Sequence, residues 1–197
     1  MTELIEDQTF RNVDWYGEEF AERHYLRCTF LHVDLTEATS QGTVFEECVF
    51  GNVRFNASRH TDAAFLRCAF NRCNFFEAEF TGCKVTGSQF AQCELRPLRV
   101  TGGDWSFVGL PGADLRGTTF QGVRMREVDL TGANCEDAVL TGVDLSAAQL
   151  HSARFSRADL RGSDLSALDP TVTPVDGAVI NAEQAVVVAQ AMGFKIG

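Results

Sequence analysis

Residues 65–80 read Phe65-Leu66-Arg67-Cys68-Ala69-Phe70-Asn71-Arg72-Cys73-Asn74-Phe75-Phe76-Glu77-Ala78-Glu79-Phe80, with Phe at every fifth place and Cys or Ala two places before it. The same phase continues in both directions. Every fifth residue from Phe10 to Leu165 is apolar except Ser40 and His60, and thirteen of these residues are Phe. Neither an α-helix at 3.6 residues per turn nor a strand alternating at 2 keeps a five-residue period on one face, so the chain is a repeat solenoid of a third geometry.

A second ladder of small residues runs two places ahead of the first: Cys28, Val33, Ala38, Thr43, Cys48, Val53, Cys68, Cys73, Ala78 and Cys83, then Ala113, Ala133, Ala138, Ala148, Ala153 and Ala158. Both ladders must point inward. Asp34, Asp114, Asp129, Asp144, Asp159 and Asp164 fall between them, and Gly82, Gly87, Gly117, Gly122, Gly132, Gly142 and Gly162 fall in the slot expected to turn corners.

The units Ala113-Asp114-Leu115-Arg116-Gly117, Ala158-Asp159-Leu160-Arg161-Gly162 and Ser163-Asp164-Leu165-Ser166-Ala167 resemble the A(D/N)LXX repeat of pentapeptide-repeat proteins. That resemblance implies an all-β solenoid: a right-handed quadrilateral β-helix in which four pentapeptides make one square coil of twenty residues. Residues 8–167 would form about eight coils with no inserted loop, a rod of ~38 Å at the ordinary inter-strand spacing. The expected division is 1–167 for the β-helix, with 1–7 as N-terminal cap, and 168–197 for a C-terminal cap and dimerisation helix.

Composition sets the context. The chain has 197 residues and a formal net charge of −10. Its acidic start lacks an apolar run and no later stretch reaches membrane-spanning length, so a cytoplasmic location is expected. Of the seven cysteines, Cys28, Cys48, Cys68, Cys73, Cys83 and Cys93 lie in the small ladder and Cys135 in the large one, which makes them reduced packing residues. His24, His32, His60 and His151 are scattered without metal-ligand spacing. No phosphate loop, nucleophile elbow or acid/base pair appears, and a filled solenoid offers no deep cleft. Neither an enzyme nor a cofactor is expected, and a nucleotide-binding reading ranks last.

After Asp169-Pro170 and Pro174 the phase is expected to stop. Asn181 with Gln184 three places on reads as a helix start, and Gly193 as its end. Ala182, Ala185, Val186, Ala189 and Met192 form a stripe, with Phe194 adding apolar surface. The stripe serves either as a cap on the last coil or as a contact between two copies of the chain, and symmetry together with the family resemblance favours a homodimer joined tail to tail.

Position within the twenty-residue coil sorts the charges by face. The face centred on Trp15, Leu35, Phe55, Phe75, Leu95, Leu115, Cys135 and Phe155 carries eight acids against five bases, and the face beginning at Phe20 six against three. The face beginning at Tyr25 balances, and the one beginning at Phe10 has one acid and two bases. Such a rod lacks the basic footprint that direct nucleic-acid binding needs. Its carboxylates could instead imitate phosphates in a basic groove of another protein. Duplex DNA places one charge per ~1.7 Å of axis, so a dimer of ~75 Å would match it only in part.

The undivided rod, the Leu95-Arg96-Pro97-Leu98 segment and the C-terminal helix resemble the mycobacterial MfpA branch of the family, which is related to the plasmid-borne Qnr quinolone-resistance proteins. The resemblance implies a DNA-mimicking dimer that binds DNA gyrase at the A-subunit DNA saddle, the B-subunit ATPase region, or both. It would compete with DNA, modulate supercoiling and lower sensitivity to fluoroquinolones. The continuous phase leaves no room for the protruding loops that Qnr-type proteins use. Glu77, Glu94, Asp114, Glu136 and Asp137 are the expected gyrase-binding carboxylates, with Leu26, Leu66, Phe76 and Phe107 as an apolar accessory surface. The rival reading is a scaffold for another protein-protein interaction without mimicry.

Overall fold

A five-residue period closes into a flat-sided coil only if the chain turns once per repeat, and the backbone does this at one place in each. In the computed structural model, which describes residues 3–197, every fifth residue from Asp7 to Gly162 adopts a left-handed conformation, with Pro97 as the single exception. Glycine was expected at these corners. It holds eleven of them, and twenty belong to residues with side chains, among them Asn12, Arg27, Glu47 and Arg157. Each of those costs on the order of 1 kcal/mol against glycine, which the stacking of coils offsets. Pro97 cannot take a positive φ, and there the Arg96–Pro97 peptide is cis.

Four turns return the chain to the same face, one coil up. Backbone partners are then twenty residues apart and parallel, from Glu3↔Arg23 through Phe45↔Phe65 and Phe80↔Val100 to the bridge Asp159↔Val179. Three faces carry sheets whose strands follow chain order. One has four strands, from Glu3–Glu6 to Ala64–Leu66; one has five, from Thr9–Arg11 to Gln89–Ala91; one has seven, from Glu19–Ala21 to Val139–Thr141. The fourth face, the one centred on Trp15, is held by single bridges such as Asp14↔Asp34, Asp34↔Arg54 and Asn74↔Glu94. The protein is a parallel β-solenoid with one short C-terminal helix, without an insertion along the rod.

Both ladders are inside. The large ladder fills the axis, with Phe30, Phe50, Phe70 and Phe90 stacked at 4.7, 4.8 and 4.6 Å between ring centroids. The small ladder packs behind it and also does polar work. Hydroxyls and thiols in that ladder donate to carbonyls of the preceding coil: Thr43 Oγ1 to Phe20 O, Cys68 Sγ to Phe45 O, Ser88 Oγ to Phe65 O and Ser163 Oγ to Leu140 O. All seven cysteines are free, and burial pushes the Cys83 thiol up to about 11 and Cys135 up to about 12.

The two breaks in the large ladder answer one another. Ser40 and His60 occupy the same slot in successive coils, and both are buried. Ser58 Oγ donates to Phe55 O at 2.7 Å, so it accepts from His60 Nε2–H at 3.1 Å, while Ser40 Oγ donates to His60 Nδ1 at 2.7 Å. This network assigns the Nε2–H tautomer. Burial lowers the His60 pKa to about 3, so the ring is held neutral.

The coil does not stop at 167 as the two prolines suggested. Val175 and Ile180 keep the five-residue phase and pack against the core, Phe155 N donates to Pro174 O, and Leu160 N to Val179 O. Pro174 supplies a carbonyl where the ladder needs only an acceptor. At the other end Glu3–Glu6 pairs with Arg23–Leu26 as part of the first coil, and Met1 and Thr2 of the expected N-terminal cap lie outside the described residues.

Helix α1 (Ala182–Ala191) closes the last coil. Its start is a capping box, with Asn181 Oδ1 accepting from Gln184 N and Gln184 Oε1 accepting from Asn181 N. Gln184 is buried, and its amide reaches further: Oε1 also accepts from Gly162 N, and Nε2 donates to Leu160 O and Ser163 O. One side chain thus satisfies backbone groups that an end coil leaves without a successor.

Candidate interaction surface

The outward residues of each face form columns one coil apart, so the surface is a lattice of charges whose neighbours are set by the twenty-residue register. An acid with an arginine twenty residues later is bound by it: Asp7 by Arg27, Glu47 by Arg67, Asp104 by Arg124 and Asp137 by Arg157. Arg27 and Arg157 do so through two hydrogen bonds each, at 2.8–3.0 Å.

This lattice changes the picture of the five expected gyrase-binding carboxylates. They lie along one face and its corner, as the register required, but four have arginine partners. Asp114 accepts two bonds from Arg116, at 2.9 and 2.7 Å, and lies 3.2 Å from Arg96, which also reaches Glu94 at 3.9 Å. Glu136 contacts Arg154 at 3.5 Å and Arg157 at 3.6 Å, and Arg157 also holds Asp137. The Arg116 hydrogen bonds hold the Asp114 carboxyl below its ordinary range, and those of Arg157 do the same for Asp137. Glu77 alone of the five has no ion-pair partner among the described residues. The C-terminal stretch of this face is therefore close to neutral, and its acidity is concentrated nearer the N-terminus at Asp14, Glu37 and Glu77. The missed signal was in the sequence, since an arginine twenty residues after an acid is a stacking partner once the coil length is known.

The same face carries a break. Among the described residues no bridge joins Glu94 to Asp114, although every neighbouring pair in that column from Asp14 to Glu94 and from Asp114 to Arg154 is bridged. Glu77 N donates to Pro97 O, and Arg96 Nε is buried at the break.

Of the expected apolar accessory residues, Phe76 and Phe107 are exposed, whereas Leu26 and Leu66 are half-buried because they stand in strands beside Glu46. The C-terminal helix divides between the end coil and solvent, with the predicted dimer stripe on the solvent side. Gln184 is buried and Val188 half-buried over the end coil, while Ala182, Ala185, Val186, Met192 and Phe194 face solvent and Ala189 is half-buried. With Val172, Val179 and Ile196, which are also exposed, they leave an apolar surface at the C-terminal end of the rod. Among the described residues no cluster of His, Cys, Asp and Glu is arranged to hold a metal, and no helix is long and apolar enough to cross a membrane.

A flat-sided parallel solenoid with a lattice of paired charges defines a structural repeat protein. The family model for pentapeptide repeats (8 copies) matches residues 110–146 and, overlapping them, 129–166, so this stretch of the chain is a run of pentapeptide repeats. Among solved structures it is similar to full-length QnrB1, a plasmid-mediated fluoroquinolone resistance protein, with a TM-score of 0.63 and 16% identity over 97% of this chain and 100% of that one. A trypsin-treated QnrB1 variant gives a TM-score of 0.50 at 14% identity, covering 100% and 99%. HetL, a pentapeptide repeat protein involved in heterocyst differentiation regulation from the cyanobacterium Nostoc, gives 0.47 at 15% identity, covering 90% and 85%. No curated protein matches the sequence.

Proposed function

We propose that this chain is a rod-shaped interaction protein that binds DNA gyrase in competition with DNA, modulates supercoiling and protects the enzyme from fluoroquinolones, as a homodimer joined through its C-terminal end in the cytoplasm. The observation that carries the reading is the uninterrupted coil. It arrays carboxylates in columns at the inter-strand spacing on a molecule with net charge −10, on a fold it shares with a fluoroquinolone resistance protein. Gyrase handles DNA through basic surfaces, and a rigid acidic rod of duplex-like proportions suits such a surface. The contact would use Glu77 together with Glu94, Asp114, Glu136 and Asp137, the last four exchanging their own arginine partners for the partner protein's cations. Dimerisation would cover Ala182, Ala185, Val186, Ala189, Met192 and Phe194.

The test is a supercoiling assay with cognate gyrase, with and without a fluoroquinolone, scoring supercoiled product and drug-stabilised cleavage. The reading expects both to fall as the protein is titrated, with a steep loss of effect as salt rises. No effect on either from a folded dimer would overturn it. One observation favours a second reading, a scaffold without mimicry: the arginine pairing of Glu94, Asp114, Glu136 and Asp137 leaves little net field on that stretch. A scaffold contact would be nearly indifferent to salt.

A further inference from the structure

One column of the small inward ladder climbs from Val33 to Ala153 in twenty-residue steps and carries Cys73, Cys93 and Ala113 in successive coils. Every residue of that run is buried except Cys93 and Ala113, which are half-buried. The two stand on either side of the break between Glu94 and Asp114. Below it Glu94 N donates to Cys73 O at 2.9 Å, and above it Asn134 N donates to Ala113 O at 2.8 Å. Among the described residues no backbone bond joins Asp114 N to Cys93 O. Without that bond the coils do not seal the small slot, and Cys93 is open to solvent in part.

One coil below it, Cys73 is 1% exposed. Stacked residues stand ~4.8 Å apart, inside the Cα separation of roughly 4.4–6.8 Å that a disulfide spans. Hydrogen bonding between the two thiols holds that of Cys93 below its ordinary value and pushes that of Cys73 above it. Cys48 and Cys68 repeat the same step and the same polarity, Cys48 lowered by its hydrogen bond with Cys68 and Cys68 raised by burial, but both are sealed at 1% exposure. Access to solvent, and not spacing, sets the Cys73 and Cys93 pair apart. A partly exposed thiol of lowered pKa with a second thiol beside it is the arrangement that oxidants attack selectively.

We propose that Cys93 and Cys73 form a peroxide-reactive dithiol at the break in the rod, with Cys93 as the attacking thiolate and Cys73 as the resolving thiol. The Cys93 thiolate attacks one oxygen of hydrogen peroxide; the O–O bond breaks, an S–O bond forms, and the departing hydroxide takes up the proton that Cys93 released and leaves as water. The Cys73 sulfur then attacks the sulfenic acid at Cys93. The S–O bond breaks, the S–S bond forms, and the oxygen leaves as a second water with the proton Cys73 gives up. Two electrons pass from the two sulfurs to the peroxide, and a small thiol such as glutathione returns them by exchange. The Cβ separation in a disulfide, about 3.8 Å, is shorter than the coil spacing, so closure draws Cys93 toward Cys73 and away from Ala113. The gap between Glu94 and Asp114 widens accordingly. The site stands without the assignment to gyrase.

The test exposes the full-length reduced chain to hydrogen peroxide, alkylates the remaining thiols after unfolding and maps the products by mass spectrometry without reduction. A peptide cross-linked between Cys73 and Cys93 is expected as the main product, formed about tenfold faster than any other cysteine is oxidised and reversed by glutathione. Cys48 and Cys68 should still be alkylated. Cys93→Ser should abolish the fast reaction. Cys73→Ser should keep it but halt it at the Cys93 sulfenic acid, which dimedone traps in several-fold higher yield than in the unaltered chain. Serine already holds the same slot, buried, at Ser58, Ser88 and Ser163, so both variants keep the coil, as circular dichroism would verify. A cross-link between Cys48 and Cys68 formed as fast, oxidation of Cys93 no faster than the other cysteines, or a link between Cys93 of two copies in place of the internal pair would overturn the proposal.

Discussion

The two halves of the rod build one backbone from different residues. Up to about Phe90 the axis is aromatic, with Tyr25, Phe45 and Phe65 stacked at 5.0 and 4.8 Å and Phe55 on Phe75 at 4.7 Å. Its corners are mostly residues with side chains, and strands run on three faces. Beyond Trp105 the axis is Leu130, Leu140, Leu145 and Leu150 with Ala133 and Ala138 behind. Glycine turns many of the corners there, and only Thr119–Gln121 and Val139–Thr141 are strands. The family model matches this second half alone. The period of five, and not any preferred residue, is what makes the coil: a slot needs an apolar side chain of workable size, and neighbouring coils adjust to Phe or Leu as long as both stay in register.

The largest expected effect is at the junction of the halves, where Gly102 and Gly103 follow one another. A Cβ at Gly103 would overlap the Cys83 carbonyl oxygen and amide nitrogen, whereas at Gly102 it meets nothing within 4 Å. Gly103→Ala should cost on the order of 3–5 kcal/mol and uncouple the halves into two unfolding steps, and Gly102→Ala about 1 kcal/mol, as read by denaturant unfolding. A single unchanged transition in Gly103→Ala would mean the halves do not meet through that contact.

Acid should separate the halves next, because His60 lies in the aromatic one. Its folded pKa of about 3 is below the ordinary histidine value, so the unfolded chain takes up a proton first as pH falls. The contribution of the neutral ring is intact above about pH 6.5 and is lost between there and pH 3, by an amount on the order of 5 kcal/mol. Hydrogen exchange at pH 4 should therefore show coils around His60 opening before those around Leu140. Replacing both Ser40 and His60 by valine and phenylalanine should remove that order.

Gln184→Ala tests the end of the second half. It strands the Ser163 carbonyl and the Gly162 N–H and leaves Leu160 O with Ser163 N alone, and a loss of about 2–3 kcal/mol is expected, confined by hydrogen exchange to residues after Ala138. The smallest effect is a change of vocabulary. Phe70→Leu should cost about 1–2 kcal/mol through lost stacking and a small void, with the circular dichroism spectrum unchanged. A larger penalty would show that the aromatic half needs its rings and does not merely tolerate them.

Much of this was legible in the sequence. The solenoid and its inward residues follow from Phe65, Phe70, Phe75, Phe80 and their continuation in strict register, while the sorting of faces took the twenty-residue coil that the family resemblance implies. The cysteines read as packing residues because of the slot they hold, and they are free and buried, Cys93 only in part. The tail was less legible. Pro170 and Pro174 looked like an end because proline lacks a donor, while the ladder at Pro174 needed only its carbonyl. Leu26 and Leu66 looked exposed because slot and exposure were equated, and neighbouring side chains in the strand cover them in part.

What the sequence by itself determined is the period of the chain: a turn every five residues, the side chains that point inward and the unbroken phase, all local consequences of where apolar side chains recur. What only the tertiary structure decided is how residues twenty apart in sequence deal with one another. Stacking set Ser40 against His60, laid Arg157 on Asp137 and brought Gln184 to the open end of the coil. Those outcomes depend on side-chain reach and direction at the inter-coil spacing, and a linear pattern of residue types does not contain them.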